Sequence, residues 1–302
     1  MLIDISDTIA FQKESFISYV RDTKKSSNNT VQAYIRDIDR FAAFCSVIGL
    51  NSLTEVETEH VSDYKEYMHE QGFSAASVSR ALSAVRGLFQ YFVSSDVMDH
   101  NPAREIHNDK PKKSIPIVLT IEEIERLLSQ PSGKDAKSIR DKAILELLYA
   151  TGIKASELIE MNVTDVNVPL SIVKCKKGGK ERIIPLYPLA VKNLSEYING
   201  ARKLLILSPD ETALFVNVSG ERLTRQGLWK ILKTYASEAN IMTLITPHTL
   251  RHSFAAHLLQ NGADIHEIQE ILGHADISST QRYAKNLKIY HKRKYMRYHP
   301  RA

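Results

Sequence analysis

The sequence predicts a mainly α protein made of two helical domains, the second interrupted by a small antiparallel β-sheet. Three observations predict it. Apolar residues recur at helical spacing in both halves of the chain. A proline- and lysine-rich break separates the halves. Only one stretch carries paired runs of β-type residues around a glycine turn.

The elements follow in order. "NTVQAYIRDIDRFAAFC" sets Val31, Tyr34, Ile35, Ile38, Phe41, Ala42 and Cys45 at helical spacing. "VSDYKEYMHEQG" is a shorter amphipathic segment closed by Gly72. "SAASVSRALSAVRGLFQYFV" aligns Val78, Leu82, Val85, Phe89 and Phe92, while Arg80 and Arg86 project from its other faces. Either arginine is open to two readings, ordinary solvation or contact with a phosphate. "NPAREIHNDKPKKSIPIVL" then brings three prolines, a run of basic residues and no helical period. It reads as a linker over 108–116, between a domain at 1–107 and a domain at 117–302.

The second domain opens on "TIEEIERLLSQ", where Thr120 and Glu123 have capping-box spacing. "RDKAILELLYATG" is a buried-type helix that ends at Gly152, and "SELIEM" begins a short one. In "LSIVKCKKGGKERIIPL" two β-type runs, Ser171 to Cys175 and Glu181 to Ile184, flank a basic turn at Lys177, Gly178 and Gly179. Helices resume in "YPLAVKNLSEYING", "TRQGLWKILKTYASEAN", "TPHTLRHSFAAHLL", "DIHEIQEILGH" and "ISSTQRYAKNL". In the third of these, Thr246 suits the N-cap, Pro247 the first turn, and Asn261-Gly262 the stop. Leu250, Phe254 and Leu258 form an apolar stripe, and His248, Arg251 and His252 fall on the face away from it. Such a trio alone more often marks a solvated face than a site.

Bulk composition narrows the function classes. A net charge of +5 leans toward a polyanionic partner. Two cysteines, Cys45 and Cys175, make neither a disulfide framework nor a zinc site. The acidic start "MLIDISDTIAFQKESF" has no secretory pattern, and no apolar run reaches the ~20 residues of a membrane span. The expectation is a soluble, cytoplasmic protein without cofactor, metal or membrane partner.

The motifs together carry a resemblance. "HTLRHSFAAHLLQNGADIHEIQEILGH", followed by Tyr283 nine residues after its last histidine, resembles the tyrosine recombinases of the phage integrase family. "NTVQAYIRDIDRF", "SRALSAVRGLFQYF", "NPA" with the basic linker, and "KGGKERIIPL" fit the same family, so the likeness spans nearly the whole chain. The ending "HPRA" resembles its Xer branch, which resolves chromosome dimers.

The resemblance implies a two-domain DNA clamp, with a helical core-binding domain and an α-rich catalytic domain. It implies double-stranded DNA with paired half-sites as partner, and a homo- or hetero-tetramer on two duplexes. The basic segment after Tyr283 would dock into a neighbouring protomer. Cutting DNA without a metal needs a nucleophile, a proton donor for the leaving oxygen, and cations around the phosphate. The family assigns these to Tyr283, which forms a 3′-phosphotyrosyl ester, to Lys177, and to Arg251, His248 and His274. His252 reads as structural, and Lys180 and Arg182, with Arg80 and Arg86, as DNA-backbone contacts or solvated residues. One position departs from the pattern. Where the family expects arginine, "YATGIKASEL" has Lys154, which keeps the charge but loses the planar fork. A diverged member and a substitution that slows cleavage both fit that lysine. Three functions therefore stand: an Xer-like recombinase, a mobile-element integrase, and a DNA-binding member of the fold impaired in cutting. A helical DNA-binding regulator with no covalent chemistry is a further alternative.

Overall fold

A computed structural model describes residues 8–22, 28–108, 116–177 and 180–273. The chain divides into two compact units, Met1–Lys113 and Ser114–Ala302.

Among the described residues, the first unit has four α-helices, α1 (Ile9–Asp22), α2 (Asn28–Val47), α3 (Thr58–Glu70) and α4 (Ala75–Ser94). The apolar stripe expected on α4 is buried in full: Val78, Leu82, Val85, Phe89 and Phe92. It meets Val31, Ile38, Phe41 and Cys45 of α2, with Tyr64 of α3 edge-on to Phe41 at 5.0 Å between ring centroids. Helix α1 has a sparse apolar face, Phe16, Ile17 and Val20, which periodicity alone does not reveal. It is anchored partly by a buried amide, since Leu53 N donates to Gln12 Oε1 at 2.8 Å and Gln12 Nε2 donates to Ser52 Oγ at 2.9 Å.

Arg80 and Arg86 have protein partners. Arg80 forks onto the buried Asp37, with Nε and Nη2 at 2.8 and 3.0 Å from its two oxygens. Arg86 donates to the carbonyls of Ala103 (3.2 Å) and Ile106 (2.7 Å), pinning the segment that follows α4. Both guanidiniums are thus engaged within the protein, Arg80 while its side chain stays half exposed.

In the second unit, α5 (Ile121–Ser129) opens with the capping box its sequence announces. Thr120 N donates to Glu123 Oε2 at 2.8 Å and Glu123 N to Thr120 Oγ1 at 3.2 Å. Helix α6 (Ala136–Thr151) runs through the core and ends at Gly152, whose φ of 57° is the left-handed conformation of a C-cap. The short α7 (Ala155–Glu160) follows. A three-stranded antiparallel sheet comes next: β1 (Val166–Asn167), β2 (Ile172–Lys177) and β3 (Lys180–Pro185), in that order. The two longer strands exceed the predicted runs by a residue or two, and β1, only two residues long, has no periodicity to betray it. The register pairs Lys177 with Lys180, Cys175 with Arg182 and Val173 with Ile184. Helix α8 (Pro188–Glu196) continues through a wide turn at Tyr197–Ala201 into α9 (Arg202–Leu205). Then come α10 (Arg225–Glu238), α11 (Pro247–Gln260) and α12 (Ile265–Leu272). Leu147, Val173, Ile184, Leu194, Leu228 and Leu250 share one core, which puts α6, the sheet, α8, α10 and α11 around a common centre.

Candidate active site

Helix α11 is the centre of the site. Thr246 caps it, its Oγ1 accepting from Thr249 N at 3.1 Å, with Pro247 in the first turn. Leu250 and Phe254 are buried as the stripe requires. Burial extends well beyond that stripe, although His248 stays exposed and His252 half-buried. Arg251 is only 3% exposed, and Ser253, Ala256 and His257 are buried too. A helix enclosed over most of its circumference needs partners for its polar groups.

Arg251 finds them at two helix ends. Its Nη1 donates to Gly152 O at 2.6 Å and its Nη2 to Leu272 O at 2.7 Å. Those carbonyls close α6 and α12, where backbone dipoles concentrate partial negative charge that a cation offsets. Both ends turn through left-handed glycines, Gly152 (φ 57°) and Gly273 (φ 62°). A Cβ on Gly152 would lie 2.4 Å from Phe254 Cδ1, so the chain passes α11 at a distance only glycine allows.

That grip sets the neighbours. Lys154 lies two residues past Gly152, half-buried at the start of α7, and its amide donates to Glu157 Oε2 at 2.8 Å. His248 is exposed one turn before Arg251. Partial desolvation, then the charges of Arg251 and Lys154, hold its pKa below the usual imidazole value. The charges of Lys154 and Arg251 thus both act on His248, although Lys154 lies far from the other two in the chain. His252 is half-buried, its ring 6.3 Å from that of His248. His274 and Tyr283, with the "ISSTQRYAKNL" segment and the basic end of the chain, lie outside the described residues. Lys177 ends β2 and Lys180 opens β3. The side chains of Lys177 and Lys180 also lie outside the described set.

Arg182, expected to meet DNA or solvent, is turned inward. Its Nη1 and Nη2 donate to Glu157 Oε1 and Oε2 at 3.0 and 2.9 Å, and its Nε donates to Ile271 O at 2.8 Å. Burial pushes the Glu157 carboxyl up, but the Arg182 hydrogen bonds, the Lys154 amide and the charges of Arg182 and Arg251 outweigh it and leave it lowered.

Two residues escaped the sequence reading. Glu157 stands three positions after Lys154, the spacing of a capping box, but without Ser or Thr at the cap the signal is faint. His257 is buried at the far end of α11, where its Nε2 meets Leu119 O at 2.9 Å. A carbonyl only accepts, so Nε2 carries the proton, and Nδ1 accepts from Tyr149 OH at 3.0 Å. Ser253 Oγ accepts from Leu119 N at 2.9 Å, so both backbone groups of that entering residue are fastened to α11.

Among the described residues, no helix is long and apolar enough to cross a membrane, and no His, Cys, Asp and Glu cluster is fit to hold a metal.

A helical unit, followed by a helical unit with a basic hairpin and a cationic cluster on a buried helix, is the architecture of a DNA strand-exchange enzyme. The phage integrase family matches residues 118–288, and its N-terminal SAM-like domain matches 14–95. The chain belongs to the phage integrase family and is a tyrosine recombinase of the Xer type. It is 40% identical to tyrosine recombinase XerD of Halalkalibacterium halodurans, over 98% of this chain and 100% of the relative. It is 42% identical to tyrosine recombinase XerD of Oceanobacillus iheyensis, over 96% of this chain and 98% of that one. Among solved structures, the XerA recombinase crystal structure is 26% identical with a TM-score of 0.55, covering 96% of this chain and 99% of that chain. The XerH recombinase bound to its difH substrate before cleavage has the same fold, with a TM-score of 0.75 at 22% identity, covering 94% and 95% of the two chains.

Proposed function

We propose that the cluster around Arg251 holds a scissile phosphate of double-stranded DNA while Tyr283 attacks it. The observation that carries this reading is Arg251 fastened to the C-terminal ends of α6 and α12, with its charge and that of Lys154 both acting on His248. Cations fixed by the fold need little reorganisation as charge moves on the phosphate. His248 donates one ring N–H to a non-bridging oxygen. The O–P bond to Tyr283 forms as the bond to the 5′-oxygen breaks, and Lys177 gives that oxygen its proton. His274 assists at the phosphate or takes the phenol proton. Energy kept in the 3′-phosphotyrosyl ester lets a 5′-hydroxyl of a second duplex rejoin without a cofactor.

The ion pair of its neighbour supports Lys177 as the donor: Lys176 is exposed and its ammonium is already engaged by Asp165 at 3.3 Å. The partners would be paired half-sites, held by a tetramer of recombinase protomers on two duplexes. The cellular role that fits relatives named XerD is chromosome dimer resolution in the cytoplasm. Lys154 favours a second reading, a member slowed in cutting, because lysine lacks the paired donors of the expected arginine.

A nicked suicide duplex tests both. A covalent protein–DNA adduct that disappears in Tyr283→Phe supports the recombinase. Adduct only in Lys154→Arg supports the slowed member. DNA binding with no adduct in either form overturns covalent catalysis.

A further inference from the structure

Arg182 sits in the middle of β3, opposite Cys175, and reaches three elements at once. Its fork closes on Glu157 of α7, and its Nε meets the last turn of α12 at Ile271 O. The guanidinium also lies against Gly273, where an added Cβ would stand 3.0 Å from Nη1 and 3.1 Å from Cζ. Glu157 in turn receives the Lys154 amide. One side chain therefore joins the hairpin that ends in Lys177, the segment that carries Lys154, and the turn that leads to His274.

The pair is unlike a surface ion bridge. Arg182 and Glu157 side chains are 15% and 4% exposed. Lys174 and Glu181 of the same hairpin, 3.9 Å apart, are 44% and 43% exposed. A two-point planar contact resists rotation and sliding in a way one flexible ammonium does not.

We infer that Arg182, through Glu157, is a positioning residue for strand cleavage: it locks the hairpin that carries Lys177 against the Lys154 segment and the end of α12, so that the proton donor reaches the leaving 5′-oxygen. This rests on Lys177 being that donor. A displacement of about 1 Å at a reacting group costs on the order of 10²-fold in rate.

The leaving atom provides the test. An alkoxide needs a proton as it departs, whereas a thiolate, from a thiol of pKa about 8.5, does not. Single-turnover cleavage by the full chain is measured on a cognate duplex selected from random-sequence DNA. The scissile bridging atom is oxygen or sulfur, and the natural chain and the Lys154→Arg background are both used. Arg182→Lys and Glu157→Gln are compared with Lys177→Ala, each checked for DNA binding and thermal melting. Arg182→Lys and Lys177→Ala should each lose on the order of 10²-fold with oxygen and recover to within about tenfold of their parent with sulfur. If Arg182→Lys melts early, Glu157→Gln, which keeps the side-chain shape and loses the charge, should give the same pattern. The proposal is overturned if folded Arg182→Lys cleaves the oxygen duplex like its parent, or loses equally on both duplexes while Lys177→Ala recovers. If Lys177→Ala itself fails to recover with sulfur, the donor assignment is wrong and this inference falls with it.

Discussion

Helices α4 and α11 both set arginines among apolar residues, yet the two solve different problems. Helix α4 buries one stripe and turns its remaining faces to water or to a neighbour's edge. Its Arg80 is half exposed, and the carboxylate of Asp37 matches its charge. Helix α11 is enclosed on most sides, and its Arg251 is buried against backbone carbonyls. The charge of Arg251 reaches the Glu157 carboxyl, which it helps to lower, and His248, whose pKa burial lowers first and Arg251 and Lys154 lower further. The lesson is that an exposed arginine forked onto a carboxylate braces two neighbouring helices, whereas a buried one bonded to backbone carbonyls ties two helix ends together.

Substituting the two arginines breaks the comparison most sharply. Arg251→Lys should lower cleavage on the order of 10²–10³-fold, since the paired donors go while the charge stays. Arg80→Lys should leave cleavage within about twofold, because an exposed cation beside a carboxylate is readily replaced. Adduct formation on the suicide duplex reads both, and equal losses in the two variants would erase the distinction. Next in size comes Lys154→Arg, which should raise cleavage by about 10²-fold if a second fork completes the phosphate grip. Equal cleavage by the natural chain and the Lys154→Arg variant would show that the site works with one fork.

Two glycines sharpen the contrast at the level of stability. Gly152, before Lys154, is left-handed, and an added methyl would meet Phe254 of α11. Gly152→Ala should cost about 3 kcal/mol, from backbone strain of roughly 1–2 and overpacking of roughly 1–3. Gly87, inside α4, has ordinary room, its nearest neighbour being Tyr34 Cε1 at 3.4 Å. Gly87→Ala should stabilise by about 0.5–1 kcal/mol, as alanine does in a helix interior. Urea unfolding of the two variants should shift in opposite directions.

The same contrast explains what was legible in the sequence. Periodicity marks a helix with one wet face, so the stripe of α4 and the capping box of α5 were readable residue by residue. It fails where a helix is buried on most sides, and nothing local marks Arg251, His257 and Ser253 as interior. The motif "HTLRH" singles out Arg251, but not its hold on Gly152 and Leu272. Nor could spacing separate Arg182 from Lys180, two basic residues of one hairpin, since what turns Arg182 inward is Glu157, distant in sequence. Long-range partners of this kind are set by tertiary packing, which no local pattern encodes.

The smallest expected effect is a pH dependence confined to the second region. Helix α4 has no histidine, whereas α11 buries His257. Burial is the largest influence on that imidazole and lowers its pKa, against weaker upward pulls from the Leu119 carbonyl and Glu122. The unfolded chain takes up its proton near the ordinary value of about 6.5, while the folded chain resists it. Between the folded and unfolded pKa values, the unfolded state therefore binds more protons, and stability rises with pH across that window. On acidification, the loss should begin near pH 6.5 and level off once the folded imidazole also protonates. His257→Gln can keep a donor toward Leu119 O and an acceptor toward Tyr149 OH while removing the titration. Urea midpoints from about pH 8 to about pH 5.5 should fall less in His257→Gln than in the natural chain, and His248, shifted the same way, should supply part of what remains. Glu157 acts in a lower window. Its lowered pKa contributes stability that is lost only as the pH falls below about 4.5, so the two groups separate on the pH axis. Parallel slopes for His257→Gln and the natural chain above pH 5.5 would mean that the buried imidazole does not report on the packing of α11.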